Sequence, residues 1–499
     1  MPSLDLLLLI GAVVALVAIF AARLGSRFGL PSLLLFLALG MAIGDAGLGV
    51  RFSDADLAHQ LGFAALVLIL AEGGLTTKWE NIRGSLRPAA ALATIGIGVS
   101  IGLMALFSHY VLALPWSVAF LLGAITAPTD SAAVFSVLRG LPLPSSVRAT
   151  LEAESGLNDA PTVLMVAAMT ALAIGHEPHG GLAGLMGLII VELTGGVLLG
   201  LAAGFLGVFV LRRIALPNSG LYPLAALAWA VASYGTGVAV HVSGFAAVYV
   251  CALILGNGQL PHRHAVRSFA EGIGWIAQIG LFVMLGLLAS PGRITWATIA
   301  TGLAAGLFLT LIARPLSVLA SVSWFRVPPA EQIFLSWAGL RGAVPIILAT
   351  VPMAARAPDA DKLFDVVLVF VVVFTAIQAP TLPWVARKLG LADPDAAHDV
   401  DIEAAPLDKI SADLLQIRVP EGSRLAGVAV SELRLPPNAI VSLIIRAGVS
   451  FAPNGRDVLR AQDELLIVTP QEGRKTVETR LTEIGRGGRL ARWKGVKAE

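Results

Sequence analysis

The sequence predicts an all-α polytopic membrane protein of about thirteen transmembrane helices, arranged as two inverted six-helix repeats and followed by a small cytoplasmic α+β domain. Three observations carry this. Mean hydropathy is +0.81, with 56% hydrophobic and only 14% charged residues. Apolar runs of ~20 residues recur along the first four-fifths of the chain. Beyond Leu391 the pattern changes to acidic, proline-containing sequence and then to short alternating segments.

Spans are expected near residues 4–22, 30–44, 57–75, 88–111, 114–138, 147–173, 181–211, 220–238, 241–257, 268–289, 294–320, 330–354 and 363–386. The opening Met-Pro-Ser-Leu-Asp has no basic n-region, so residues 4–22 read as the first span and not as a cleaved signal. Arg23, Arg27, Lys78, Arg83, Arg87, Arg139, Arg148, Arg212, Arg213, Arg263, Arg267, Arg326, Arg387 and Lys388 fall on one set of helix ends. The other set holds only Arg51, Arg293, Arg356 and Lys362, which puts the N-terminus outside and the C-terminus inside. A formal charge of +2, with basic residues mostly in loops and not gathered on one face, gives no ground for a nucleic-acid partner. The single cysteine, Cys251, sits in an apolar run and reads as a small packing residue.

Two spans are interrupted. Pro128 lies in the middle of the fifth, and Gly339, Gly342 and Pro345 lie in the twelfth, where proline removes a backbone donor and crowds the preceding turn. The fifth and twelfth are corresponding members of two six-helix units joined by the seventh. Matched broken helices point to an ion site at the repeat interface.

The polar residues collect at the same places. Thr129 and Asp130 sit at the first break; Glu154, Ser155, Asn158 and Asp159 lie on the next span, with Glu154 and Asn158, and Ser155 and Asp159, four apart on neighbouring faces. A carboxylate at bilayer depth costs at least ~2.5–3.5 kcal/mol, so several of them mark a site for a cation or a proton. Asp130, Asp159, Ser155, the Asn158 amide and the backbone near Thr129 offer the hard oxygens that a dehydrated monovalent cation, K+ or Na+, requires. Burial disfavours an ionised carboxylate and a bound cation favours it, so proton and cation compete for one oxygen pair. Competition at a site that faces each side in turn suffices for exchange.

Arg341, in Gly339-Leu-Arg-Gly-Ala-Val-Pro345, needs a carboxylate at that depth, and Glu154 is the expected partner in a structural ion pair. Glu72 reads as an access-path acid or as a solvated helix end, and Arg314, before Pro315, as a snorkelling side chain. Glu192 and Gln278 are polar residues without an assigned role. No cofactor is expected.

In this order and spacing, Thr-Asp in the fifth span, Glu-Ser-Gly-Leu-Asn-Asp-Ala in the sixth and Gly-Leu-Arg-Gly-Ala-Val-Pro in the twelfth resemble the NhaP branch of the monovalent cation:proton antiporters, over residues 4–390. The resemblance implies crossed broken helices, a homodimer and an elevator-like core domain beside a dimerisation domain. It further implies Asp159 as acceptor of proton or cation, with Thr129, Asp130, Ser155 and Asn158 as ligands. Asn158, where electrogenic relatives carry a second aspartate, implies electroneutral one-for-one exchange in a bacterial inner membrane.

The remaining segments are expected to form a linker over 391–410, a folded domain over 411–472 and a basic tail over 473–499 that either touches anionic lipid or is solvated. Strands are expected at 414–419, 439–446 and 464–469, with a short helix around 430–433 and a turn at Pro453-Asn-Gly455. A domain of this size buries little core alone, so dimerisation is expected. The motif run from Val419 to Pro470 resembles the TrkA-C (RCK-C) domain, which implies a small regulatory ligand and tilts the ion towards K+. No Gly-x-Gly-x-x-Gly stands before it, so the nucleotide-binding half of the usual tandem is missing.

Two other classes fit less well. A potassium channel needs a carbonyl filter, and Ser233-Tyr-Gly-Thr-Gly237 has the wrong order. An intramembrane aspartyl protease needs glycine where Asn158 stands. The close rival is Na+/H+ exchange at the same site.

Overall fold

A computed structural model describes residues 4–28, 31–45, 47–50, 52–138, 143–176, 181–391, 401–407 and 412–488. The chain forms two compact units, divided near Leu391.

The first unit is helical: α1 (Leu4–Phe28), α2 (Ser32–Ile43), α3 (Ala55–Thr76), α4 (Leu86–Tyr110), α5 (Trp116–Thr126), α6 (Ser131–Val137), α7 (Ser145–Ala173), α8 (Gly181–Arg213), α9 (Leu221–Ala239), α10 (Gly244–Asn257), α11 (Arg263–Leu288), α12 (Trp296–Phe325), α13 (Pro329–Trp337), α14 (Ala343–Ala354) and α15 (Ala360–Lys388). Helices occupy all of the expected spans, seven of them long and apolar enough to cross a membrane among the described residues, with ends shifted by a few residues where caps decide them. Asp54, for example, accepts from the Leu57 amide at 2.9 Å and starts α3. Outward faces such as that of α8, with Ile190, Val191, Leu198, Phe205 and Phe209 exposed, suit a hydrocarbon surrounding.

The helices pack as two bundles. In one, α3 lies against α10 and α11, with α2 on α11 and with α8 and α9 on α10; in the other, α4 packs on α5 and α12, α5 on α7, and α15 on α12 and α14. The bundles meet where α14 touches α3 and where α7 touches α3, α8 and α10. Small residues bring the backbones close, because dispersion rather than hydrophobicity holds helices together in lipid. A Cβ on Gly256 of α10 would stand 2.3 Å from the Leu75 carbonyl oxygen of α3.

Both expected breaks are present. The fifth span divides into α5 and α6 around Ala127–Asp130, and the twelfth into α13 and α14 around Ala338–Gly342. Pro345 falls in the first turn of α14, where its missing N–H costs nothing. The two unwound stretches are joined by the Asp130 amide, which donates to the Leu340 carbonyl at 2.8 Å. A second matched irregularity was not expected: α4 and α12 each contain a π-helical turn, Leu92–Gly96 and Leu309–Ala313, and Ser317 of α12 donates to the Gly96 carbonyl at 2.9 Å.

The second unit is an antiparallel sheet of β1 (Asp401–Leu407), β2 (Ala412–Arg418), β3 (Ile440–Arg446), β4 (Val449–Phe451) and β5 (Glu464–Pro470), in the order β1-β2-β5-β3-β4. Leu415 pairs with Ile467 and Ile417 with Leu465, so alternate residues of β2 and β5 point to one core. A 3₁₀ turn covers Val430–Leu433, as expected.

Two boundaries are corrected here. The expected basic tail begins with α16 (Arg474–Gly487), whose Val477, Leu481 and Ile484 are fully buried in the same core, and whose Arg480 donates to the Leu433 carbonyl at 3.2 Å. The expected linker contains β1, which pairs along its whole length with β2. Residues 392–400, 408–411 and 489–499 lie outside the described residues, and with them the rest of the linker and of the tail.

Candidate functional site

The site is built on α7, the sixth span. Pro161 withholds the amide that would have bonded the Leu157 carbonyl, loosening the turn that carries Asn158 and Asp159. Thr162 donates its hydroxyl to the next carbonyl along, that of Asn158. Glu154, Asn158 and Asp159 are all buried, as is Thr129 across from them.

Thr129 is the hub between the break and α7. The Asn158 amide donates to its hydroxyl at 2.9 Å and to its carbonyl at 3.3 Å, and the hydroxyl in turn donates to Glu154 at 3.2 Å. Asp130 caps α6, accepting from the Ala133 amide at 3.2 Å. Its other carboxylate oxygen lies over Gly342, where a Cβ would stand 1.6 Å away. The space there admits only glycine. Asp130 and Asp159 are near enough to interact electrostatically. Oδ1 of Asp159 and the side-chain oxygen of Asn158 are buried without a hydrogen-bond partner among the described residues.

The expected pair of Glu154 with Arg341 is not formed. Glu154 accepts two bonds from Arg314 of α12, at 2.7 and 2.9 Å, the planar fork arrangement in which arginine binds a carboxylate most strongly. Arg314 is 4% exposed and does not snorkel. Eleven residues, about 16 Å of helix, separate it from the end of α12 at Phe325, beyond the reach of its side chain. That depth was the available signal. The π-turn ending at Ala313 sets the register of Arg314, and Gly339 leaves room for it, since a Cβ there would meet Nε at 2.8 Å.

Arg341 serves the break instead. It donates to the Ala127 carbonyl, one of the acceptors left when α5 stops, and its own carbonyl accepts from Thr375 of α15 at 2.8 Å. A small polar cavity lined by Thr310, Arg314, Ser336, Gly339, Arg341 and Gln378 adjoins the two arginines.

Ser155 is half-buried on the same helix. Glu72, also half-buried, lies over Gly274 of α11, where a Cβ would come within 2.7 Å of its Cγ, and is not fully solvated. Glu152 accepts from Thr77 at the end of α3 at 2.8 Å and so ties α7 to the other bundle. Glu192 holds the start of α10 through its backbone carbonyl, which accepts from the Ser243 amide at 2.9 Å.

Two breaks joined by a backbone bond, a buried glutamate neutralised by an arginine and a buried aspartate with an open oxygen are thus gathered around α7. The transmembrane sodium/hydrogen exchanger family matches residues 12–388, and the TrkA-C domain matches residues 414–482. The chain is 35% identical over 479 residues to the K(+)/H(+) antiporter NhaP of Alkalimonas amylolytica, covering 94% of this chain and 82% of that one. It is 32% identical over 503 residues to the K(+)/H(+) antiporter NhaP2 of Shewanella oneidensis, covering 99% and 86%. The fold is similar to the sodium proton antiporter MjNhaP1 of Methanocaldococcus jannaschii, with a TM-score of 0.66, 21% identity and coverage of 77% of this chain and 99% of that one. The chain therefore belongs to the sodium/hydrogen exchanger family, with a TrkA-C domain at its C-terminal end, and its relatives are cation:proton antiporters and not enzymes.

Proposed function

We propose that this protein exports cytoplasmic K+ in exchange for external H+, one for one, with Asp159 as the group that carries either ion. The buried Asp159 oxygen without a partner carries this reading. It is the one described carboxylate of the site that the protein leaves incomplete, whereas Glu154 is held by an arginine and a threonine. Protonation or a cation bound with help from Asp130, Thr129, Ser155 and Asn158 neutralises it equally well. Because Asn158 does not ionise and Glu154 is cancelled by Arg314, the site changes by one charge per exchange, and the cycle moves no net charge.

Alternating access follows from the two bundles. In the elevator-like reading, the bundle holding both breaks slides past the one holding α3, α10 and α11, with Glu72 on the cytoplasmic approach. The same reading has a homodimer in a bacterial inner membrane, the N-terminus outside, and residues 412–488 as a cytoplasmic sensor of a small ligand. K+ is favoured by the relatives named as K(+)/H(+) antiporters and by the TrkA-C domain. Na+ is the second reading, favoured by the family and by the structural neighbour.

Proton flux in proteoliposomes, titrated separately with K+ and Na+, tests it. Half-maximal exchange at lower K+ than Na+, with no current on solid-supported membranes, is expected. Preference for Na+, or a current that follows the cation gradient, would contradict the assignment.

A further inference from the structure

Tyr249 stands on α10, in the bundle opposite the breaks, and is 5% exposed. Its hydroxyl has no hydrogen-bond partner among the described residues. What seats it is a missing side chain on α7: a Cβ on Gly156 would come within 2.2 Å of the hydroxyl oxygen and 2.3 Å of the ring carbon that bears it. Asp159 is three residues after Gly156 and Glu152 four before, so both share the helix face that the phenol covers. The phenol lies within electrostatic reach of both. Glu152 is already engaged by Thr77, but Oδ1 of Asp159 is not engaged.

Buried polar atoms without partners are rare, because each has lost its water without a replacement. Two such oxygens, one from each bundle, therefore lie at the α7 face that carries Gly156. A single guest that accepts oxygen ligands relieves them together. We propose that the Tyr249 hydroxyl is an oxygen ligand of the transported monovalent cation, supplied by the bundle that does not carry Asp159. This rests on Asp159 being the exchange site. A phenol oxygen adds coordination without adding charge, so it sets which cation is held and how tightly, and leaves the stoichiometry alone. Because it comes from the other bundle, it is available only in the relative position of the bundles seen here, which makes cation affinity depend on the state of the carrier.

Tyr249→Phe tests this, since it keeps the ring over Gly156 and removes only the oxygen. In proteoliposomes the K+ concentration for half-maximal exchange should rise about fivefold while the maximal rate stays within about twofold, the signature of lost binding and not of lost turnover. The ratio of half-maximal K+ to half-maximal Na+ should change, and thermal stability should not fall. Unchanged half-maximal concentrations for both ions, or a loss of stability without a change in affinity, would overturn the proposal. Exchange that survives Asp159→Asn would instead strike at the exchange site itself, so the two failures are distinguishable.

Discussion

At the scale of single residues, the site separates one buried acid that is satisfied from one that is not. Glu154 receives a guanidinium fork and a hydroxyl, which fixes its charge and its geometry. Removing one partner of such a pair leaves an uncompensated buried charge at a cost of about 3–5 kcal/mol. Glu154→Ala and Arg314→Ala should each lower the melting temperature markedly, and the double variant should lose less than the sum of the two. Thermal unfolding of all three in detergent measures it, with Arg341→Ala as the comparison: paired with Glu154→Ala it should come closer to additivity. The acids themselves were legible in the sequence because charge is scarce in apolar runs. The choice of arginine was not, since two candidates at membrane depth differ only in the register of their helices, and a π-turn sets one of them. Tyr249 was passed over because nothing in an apolar run distinguishes a buried phenol with a partner from one without.

At the scale of elements, the breaks could be read from Pro128, Gly339, Gly342 and Pro345, because proline and glycine act locally. The crossing itself depends on a backbone bond from Asp130 to Leu340 between segments far apart in sequence. In the second unit, β2, β3 and β5 alternate and are legible, whereas β1 and α16 fall in segments whose sequence reads as linker and tail. The sequence of α16 resembles solvated chain until its buried side, at Val477, Leu481 and Ile484, is placed against the sheet. The same sheet carries an ion pair of consequence. Asp463 is buried, which works against its charge, yet two bonds from Arg446 and the Arg460 amide at 2.7 Å hold its carboxyl below the usual range. A lowered folded pKa stabilises the domain above the unfolded pKa of about 4, and that contribution is lost as the pH falls through the folded value. Hydrogen exchange over residues 440–468 of the full protein should lose protection below about pH 4. In Asp463→Asn the protection should already be reduced at neutral pH and should depend less on acid.

At the scale of the whole molecule, one unit combines a bundle that holds both breaks with a bundle that supplies the opposing wall, and the other unit is a separate sheet domain. In the proposed cycle the first bundle moves past the second, and its chemistry reduces to one carboxylate, Asp159. The most direct measurement is cation-dependent collapse of a pH gradient in inverted membrane vesicles containing Asp159→Asn. The amide keeps the size and burial of the side chain and removes its charge. Exchange should fall to the background of empty vesicles for both K+ and Na+, in a protein that melts at or above the wild-type temperature, since a buried charge has been removed. Exchange above that background, with either ion, would contradict the account.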